Sequence, residues 1–554
     1  MKVADQDGGS LLQISRNLLH FLSLEISQVQ SFKGKWGVVK TKLDQLPSLI
    51  TDLSEFPSFS SNLLCSELLQ SVSQTLTLAL ELLRKCSSHE QAMGKLHMQS
   101  NLDSLSMKLD QHIQDGELLI KSGILQENPT PSLQGKKLTS RREAIRANAR
   151  TLLTKLQIGN LESKHSAMDS LMGLLQEDDK SVIIAVTQGM VPVLVHLLDS
   201  SEMREKAVFA ISRVSYVESC KHVLIAEGVL SHLVRVLECG SGFAKEKACV
   251  ALQALSFSPE NSRVIGSGSG ISALMEICVI GTLAAQASAA GVLKNLASVQ
   301  EIRPHFMDEG YIRVLIGLAN SGTPMAMENS AECLLNLTMD DDCFRLLMTN
   351  LGVIECLKNL YDSAPTDRSQ EIAIGLVKNL ASSANAASML VSSGFIPRIV
   401  NALSLGETGV RTMAAMAVSE LGSSNEYAKL VGEAGCVPPL IRMLEGKTVS
   451  ERETSGRALS LILTVEGNRR AFRKEEKGIS FTIQLLDPSI HNFPRKNPIS
   501  ILSSLSNNAK SRKQMVAHGA CAHLERLSDM EVPGAKKLLE SLSRGKLWNM
   551  LAKP

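Results

Sequence analysis

The chain has 554 residues, with 58 Lys and Arg against 56 Asp and Glu, 44% apolar residues and 3% aromatics. That balance excludes an acidic tail protein and gives no overall attraction to nucleic acid or anionic membrane. Four Tyr, two Trp and 13 Phe are too few for base-stacking platforms or an aromatic β-sandwich core, so composition points to an all-α, globular chain.

The first residues, Met1-Lys2-Val3-Ala4-Asp5-Gln6-Asp7, lack the apolar stretch of a secretory signal, and no apolar run approaches the ~18 residues of a spanning helix. Eleven Cys stand singly, without a CxxC pair, which argues for reduced thiols and a cytoplasmic or nuclear location. Residues 1–125 read as a helical bundle. Leu11, Ile14, Leu18, Leu22, Ile26 and Val29 trace one helix, and Trp36, Val39, Leu43, Leu46 and Ile50 trace a second, disturbed at Pro47. Leu64 to Leu83 and Leu102 to Leu119 supply two more, completing four amphipathic helices. Residues 126–140 carry Pro, Gly, Ser and Thr without periodicity and read as a linker.

From residue 141 to 554 the chain repeats. A Gly followed by apolar residues recurs at Gly189, Gly228, Gly270, Gly310, Gly352, Gly394, Gly435, Gly478 and Gly519, at intervals of 39 to 43 residues. Pro192, Pro397 and Pro438 each stand three residues beyond the Gly, as suits a tight turn feeding a helix. A second column holds Val214, Leu255, Leu296, Leu337, Leu380, Leu421, Ile462 and Leu505, with an apolar residue three before and Ala or Ser seven before in most units. Spacings of three and four place these columns on one helix face, the small residue letting neighbouring helices approach. Each unit is thus a short helix, a Gly turn, a second helix and a longer third helix, which must stack to bury its apolar faces. Pro498 predicts a shortened third helix in the eighth unit, and the ninth reads as a truncated terminal cap ending near Trp548.

Gly189-Met190-Val191-Pro192-Val193-Leu194 and Ala289-Ala290-Gly291-Val292-Leu293-Lys294-Asn295-Leu296 resemble armadillo repeats, and residues 141–186 resemble the degenerate leading repeat of that family. The resemblance implies an armadillo-repeat α-solenoid wound as a right-handed superhelix, of about nine repeats behind a small helical bundle. The stretch from Cys86 to Gly123 resembles the amino-terminal domain of plant U-box armadillo proteins. There a ubiquitin-transfer domain would sit between bundle and repeats, and the fifteen residues 126–140 leave no room for one. The similarity therefore points to that family without its U-box.

Three features invite a chemical reading and fail it. Gly266-Ser267-Gly268-Ser269-Gly270 has neither the preceding strand nor the following Lys-Ser/Thr of a nucleotide loop. His518, Cys521 and His523 lack a fourth ligand at matching spacing, and Asp340-Asp341-Asp342 is followed by Cys343 and Phe344 where a calcium loop needs oxygens and Gly. The expectation is a non-catalytic scaffold with no cofactor, no metal and no small-molecule substrate; the alternative is an accessory or substrate-recognition component of the ubiquitin pathway.

The resemblance also implies where a partner binds. In armadillo proteins the third helices line a concave groove, and the residue before the Leu column faces it: here Arg213, Ala254, Asn295, Asn336, Asn379, Glu420, Leu461 and Ser504. Asn295, Asn336 and Asn379 would clamp the backbone of an extended peptide, an amide offering both donor and acceptor. The positions four residues earlier, Gly291, Glu332 and Gly375, lack the Trp of nuclear-import adaptors, which disfavours basic localisation signals. Lys294 and Lys378 beside the ladder, with Arg213, would favour an acidic peptide. Basic segments at 136–155 and 488–524 are further candidate contacts with acidic partners or, peripherally, anionic lipid; nucleic acid is not expected.

Overall fold

A computed structural model of the chain describes residues 8–551, apart from 30, 57, 58, 60, 61, 88–94, 123, 127–136, 365 and 492. The expected absence of a leader at Met1–Asp7 and most of the expected linker lie outside the described residues. Every described element is a helix, and the chain is an all-α helical repeat protein. It divides into two compact units, residues 1–255 and 256–554.

The first unit opens with five helices: α1 (Gly8–Glu25), α2 (Lys33–Leu43), α3 (Leu46–Ser54), α4 (Leu63–Ser87) and α5 (Lys95–Lys121). Leu11, Ser15, Leu19 and Leu22 form the inward stripe of α1, and Ile26 follows it; Ile14, expected inside, is exposed. The expected second helix divides because Pro47 starts a new one, its missing N–H falling where a first turn has no intrahelical acceptor. Trp36, Leu46, Leu76, Leu105 and Leu109 close the core. Gly116 of α5 allows α3 to approach, since a Cβ there would meet the Leu49 side chain at 2.6 Å. One buried histidine interrupts the apolar interior: His112 Nε2 lies 2.8 Å from Thr75 Oγ1. Burial, with Lys108 nearby, holds its pKa below the usual histidine value. Helix α6 (Lys137–Ile158) follows and packs its buried Ala149, Leu152, Leu153 and Leu156 inward.

The repeats then run as predicted by the Gly and Leu columns. Gly189, Gly228, Gly352, Gly394, Gly435 and Gly519 adopt φ of 70° to 95°, a region that favours glycine, and stand at the N-cap of the second helix of their unit or, for Gly435, one residue before it. Gly270, Gly310 and Gly478 do not. At Gly310 the helix is started by Asp308, which accepts from the Gly310 and Tyr311 amides, and near Gly270 the left-handed residue is Gly268. Every member of the Leu column and of the column three before it is buried, as are the small residues seven before. In the second unit the third helices Leu283–Ala297, Pro324–Leu337, Asp367–Ala381, Thr408–Leu421, Val449–Ile462 and Lys496–Leu505 pack one against the next. The eighth unit's third helix has only ten residues. The ninth unit, expected to be truncated, carries a third helix as well, Ala535–Leu551.

A second repeating device has no counterpart in the sequence columns. An Arg in the first helix reaches back six or seven residues to a carbonyl at the end of the preceding third helix: Arg303 to Ala297, Arg345 to Thr338, Arg469 to Leu463 and Arg512 to Ser506, at 2.6–3.0 Å. Those carbonyls have no intrahelical donor, so a charged donor there offsets a deficit that every helix end carries.

Candidate partner-binding face of the third helices

Arg213 stands in the first unit, on the third helix Arg204–Ser215. Its Nη2 meets Asp179 Oδ1 at 2.6 Å and its Nε donates to the Leu175 carbonyl at 3.0 Å. The other five predicted residues lie in the second unit. Asn295 is buried and donates from Nδ2 to Ser256 Oγ at 2.7 Å. Asn336 donates to the Lys294 carbonyl at 3.1 Å, and Asn379 to the Leu335 carbonyl at 3.2 Å and Thr338 Oγ1 at 3.0 Å. Lys378 donates to Asn379 Oδ1 at 3.0 Å, and Lys294 faces Glu332 at 3.8 Å.

In this arrangement the amide donors of the expected ladder are engaged within the stack. Asn336 and Asn379 direct their amide hydrogens onto the terminal carbonyls of the preceding third helix, tying consecutive units together. The physical reason is local: a helix end buried against its neighbour must have its carbonyls satisfied, and the amide of the next unit is within reach. The cations are likewise compensated. Glu332 holds Lys294 on one side and Arg368 on the other, at 2.7 Å, and Arg368 also reaches Glu371 at 3.6 Å. Glu332 thus links three consecutive third helices. The Gly at the expected ring-slot position does not leave an open slot: a Cβ on Gly375 would meet Leu335 at 3.3 Å, with Met413 Sδ 4.0 Å away.

Sequence reasoning missed an aromatic patch on the third helices of the first unit. Phe209 and Phe243 stack with centroids 6.3 Å apart, and Lys247 Nζ lies 6.0 and 5.3 Å from the two rings. Phe243 is 46% exposed and nearby in sequence Tyr216 is 66% exposed. The available signal was that Phe209 stands four residues before Arg213, in the register of the ring slot, in a chain with few aromatics.

The remaining candidates resolve into structural roles. Among the described residues no cluster of three His, Cys, Asp or Glu is placed to hold a metal ion. Asp341 caps a helix by accepting from the Cys343 and Phe344 amides. Arg495, read as part of a basic docking segment, instead donates to the carbonyls of Asp487, Ile490 and Phe493 and fastens the Pro-containing loop. The eleven cysteines are unpaired, and burial pushes the thiols of Cys65, Cys278, Cys356 and Cys436 up to about 12. No described helix is long and apolar enough to cross a membrane.

Residues 12–124, the bundle, match a family described as a domain of unknown function, DUF7032. Over 195 residues the chain is 29% identical to U-box domain-containing protein 8 of Arabidopsis thaliana, covering 34% of this chain and 52% of that protein. A second relative is putative U-box domain-containing protein 47 of the same plant, 25% identical over 201 residues, 36% of this chain and 44% of the relative. The chain thus spans about half the length of the curated relatives it matches. Among solved structures, the crystal structure of an engineered protein superposes with a TM-score of 0.64 at 23% identity, covering 72% of this chain and 99% of that one, which is a likeness of fold.

Proposed function

We propose that the chain is a non-catalytic scaffold of the armadillo type, acting in the cytoplasm or nucleus, that holds an extended partner segment along the exposed side of its third helices. The observation that carries this reading is the linkage through Glu332: side chains from three consecutive third helices meet on one side of the stack, so a single segment crossing that side would touch several units at once. Because Lys294, Lys378 and Arg213 already have partners, the reading favours a segment of mixed charge over a strongly acidic one. A photo-crosslinking residue at Met325, exposed at the start of a third helix, should capture the partner. The same residue at Leu405, exposed at the end of a second helix, should not. Equal capture from both sites would refute the assignment of the face.

A second reading is favoured by the two U-box relatives: an accessory or substrate-recognition role in the ubiquitin pathway. It is compatible with the scaffold, since the same face would hold the substrate. Reconstitution with ubiquitin, activating enzyme and conjugating enzymes separates the cases. The scaffold reading expects no chain-dependent ubiquitination, and robust autoubiquitination would overturn it.

A further inference from the structure

The geometry points to a second docking surface: the exposed turns of α6 that carry Arg142 and Arg146 receive an acidic helix whose carboxylates stand four residues apart. Helix α6 is packed only along its later turns, where Ala149, Leu152, Leu153 and Leu156 are buried. From Arg141 to Asn148 no residue is buried, so these two turns present their sides to solvent.

Its charge is one-sided, with Glu143 as the only acid between Arg141 and Lys155. Arg141 is held by Glu177 and Asp178 at 3.6 and 4.0 Å, and Arg150 donates to Gln188 at 2.9 Å. Arg142 and Arg146 have no hydrogen-bond or carboxylate partner among the described residues. Several arginines of the repeats are held: Arg213, Arg303, Arg345, Arg398, Arg411 and Arg469 are each fixed by a carboxylate, a carbonyl or both.

Arg142 and Arg146 are four residues apart on a helix that rises 1.5 Å per residue, so their Cα atoms are about 6 Å apart along its axis. Acids at the same interval on a partner helix share that spacing and can meet both forks, each guanidinium binding one carboxylate through two N–H groups. An anionic membrane is the weaker fit. No large apolar side chain is exposed between residues 141 and 158 to enter a bilayer, and two of the four arginines are already compensated where lipid-binding clusters use about four to eight free cations. This surface does not depend on the groove reading.

The test uses the full chain and a fluorescein-labelled, alanine-rich helical peptide with Glu at every fourth position, read by anisotropy at low salt. Binding is expected, and Arg142→Glu with Arg146→Glu should lower it roughly tenfold or more. Arg142→Lys with Arg146→Lys should lower it less, and an isomer with the glutamates scattered round the helix should bind as weakly as the charge-reversed chain. Both variants should melt like the parent, because the substituted side chains are exposed. Equal binding of the isomer, or no effect of charge reversal, would overturn the proposal. So would capture of the chain by phosphatidylserine vesicles through these arginines without binding of the peptide.

Discussion

The bundle and the repeats of the second unit solve the same problem, burying helix faces, with opposite treatments of polar groups. In the bundle the interior is closed by long side chains, and its buried polar groups stand alone or in a local pair: Trp36 Nε1 and Ser15 Oγ are buried without a hydrogen bond, and His112 meets Thr75. In the repeats Ser330 Oγ and His523 Nδ1 are likewise unpartnered, but buried or half-buried Asn and Arg recur at the joins between units, as at Asn329, Asn336, Asn379, Arg303 and Arg345. The difference teaches that the bundle is held by one shared core, whereas the stack is held by interfaces that repeat. Polar side chains are tolerated in the stack where they find a partner on the neighbouring unit, as Asn336 and Asn379 do at the end of the preceding third helix.

The largest effects should come from the apolar contacts that define each region. Trp36→Ala should destabilise the bundle by about 3–5 kcal/mol, while Trp36→Phe should cost far less, since it also removes an unpartnered N–H. Leu380→Ala, in a buried column position, should cost about 2–5 kcal/mol. Hydrogen exchange would read each loss by region: the first variant should open α2 and its neighbours, the second the Asp367–Ala381 helix and the units on either side. Uniform loss of protection across both regions in either variant would break the comparison, because it would mean one cooperative structure.

Next in size is the interface brace. Asn379→Ala removes the donor to the Leu335 carbonyl and Thr338 Oγ1 and should cost roughly 1–3 kcal/mol. Asn336, less buried and with one such bond, should cost less on the same substitution. Thermal melts of the two variants decide the matter. A partner-binding defect with unchanged melting would instead restore the open-ladder reading of these residues.

The fold was largely legible because its information is periodic. A Leu at one phase and an Ala seven residues earlier recur in unit after unit, and a helical stack is the one arrangement that buries all of them. Where the signal occurs once, it was misread. Pro47 divided a helix, and the α1 stripe runs through Ser15 and Leu19 with Leu18 at its edge, leaving Ile14 exposed. The candidate site was legible only as positions. Sequence placed Asn295, Asn336 and Asn379 in one register, but what an amide donates to depends on a carbonyl some forty residues earlier, and no local pattern reports that distance. The same is true of Glu332, whose partners lie one unit to each side.

A smaller, pH-dependent effect sharpens the contrast between the regions. His112 is buried against Thr75 with its pKa held below the ordinary value of 6.5, by burial first and by Lys108 second. The unfolded chain therefore binds a proton at His112 more readily than the folded one. The contribution of the neutral ring is fully present above pH 6.5 and declines as pH falls through and below it. Urea midpoints of the bundle should drop between pH 7.5 and pH 5.5, and His112→Gln, which keeps a polar group near Thr75 without a titrating ring, should flatten that slope. Protection of the Asp367–Ala381 helix has no buried histidine to follow, so its pH response should be unaffected by the substitution. If the slope persists in His112→Gln, the acid sensitivity belongs to other groups, and His112 is a packing element alone.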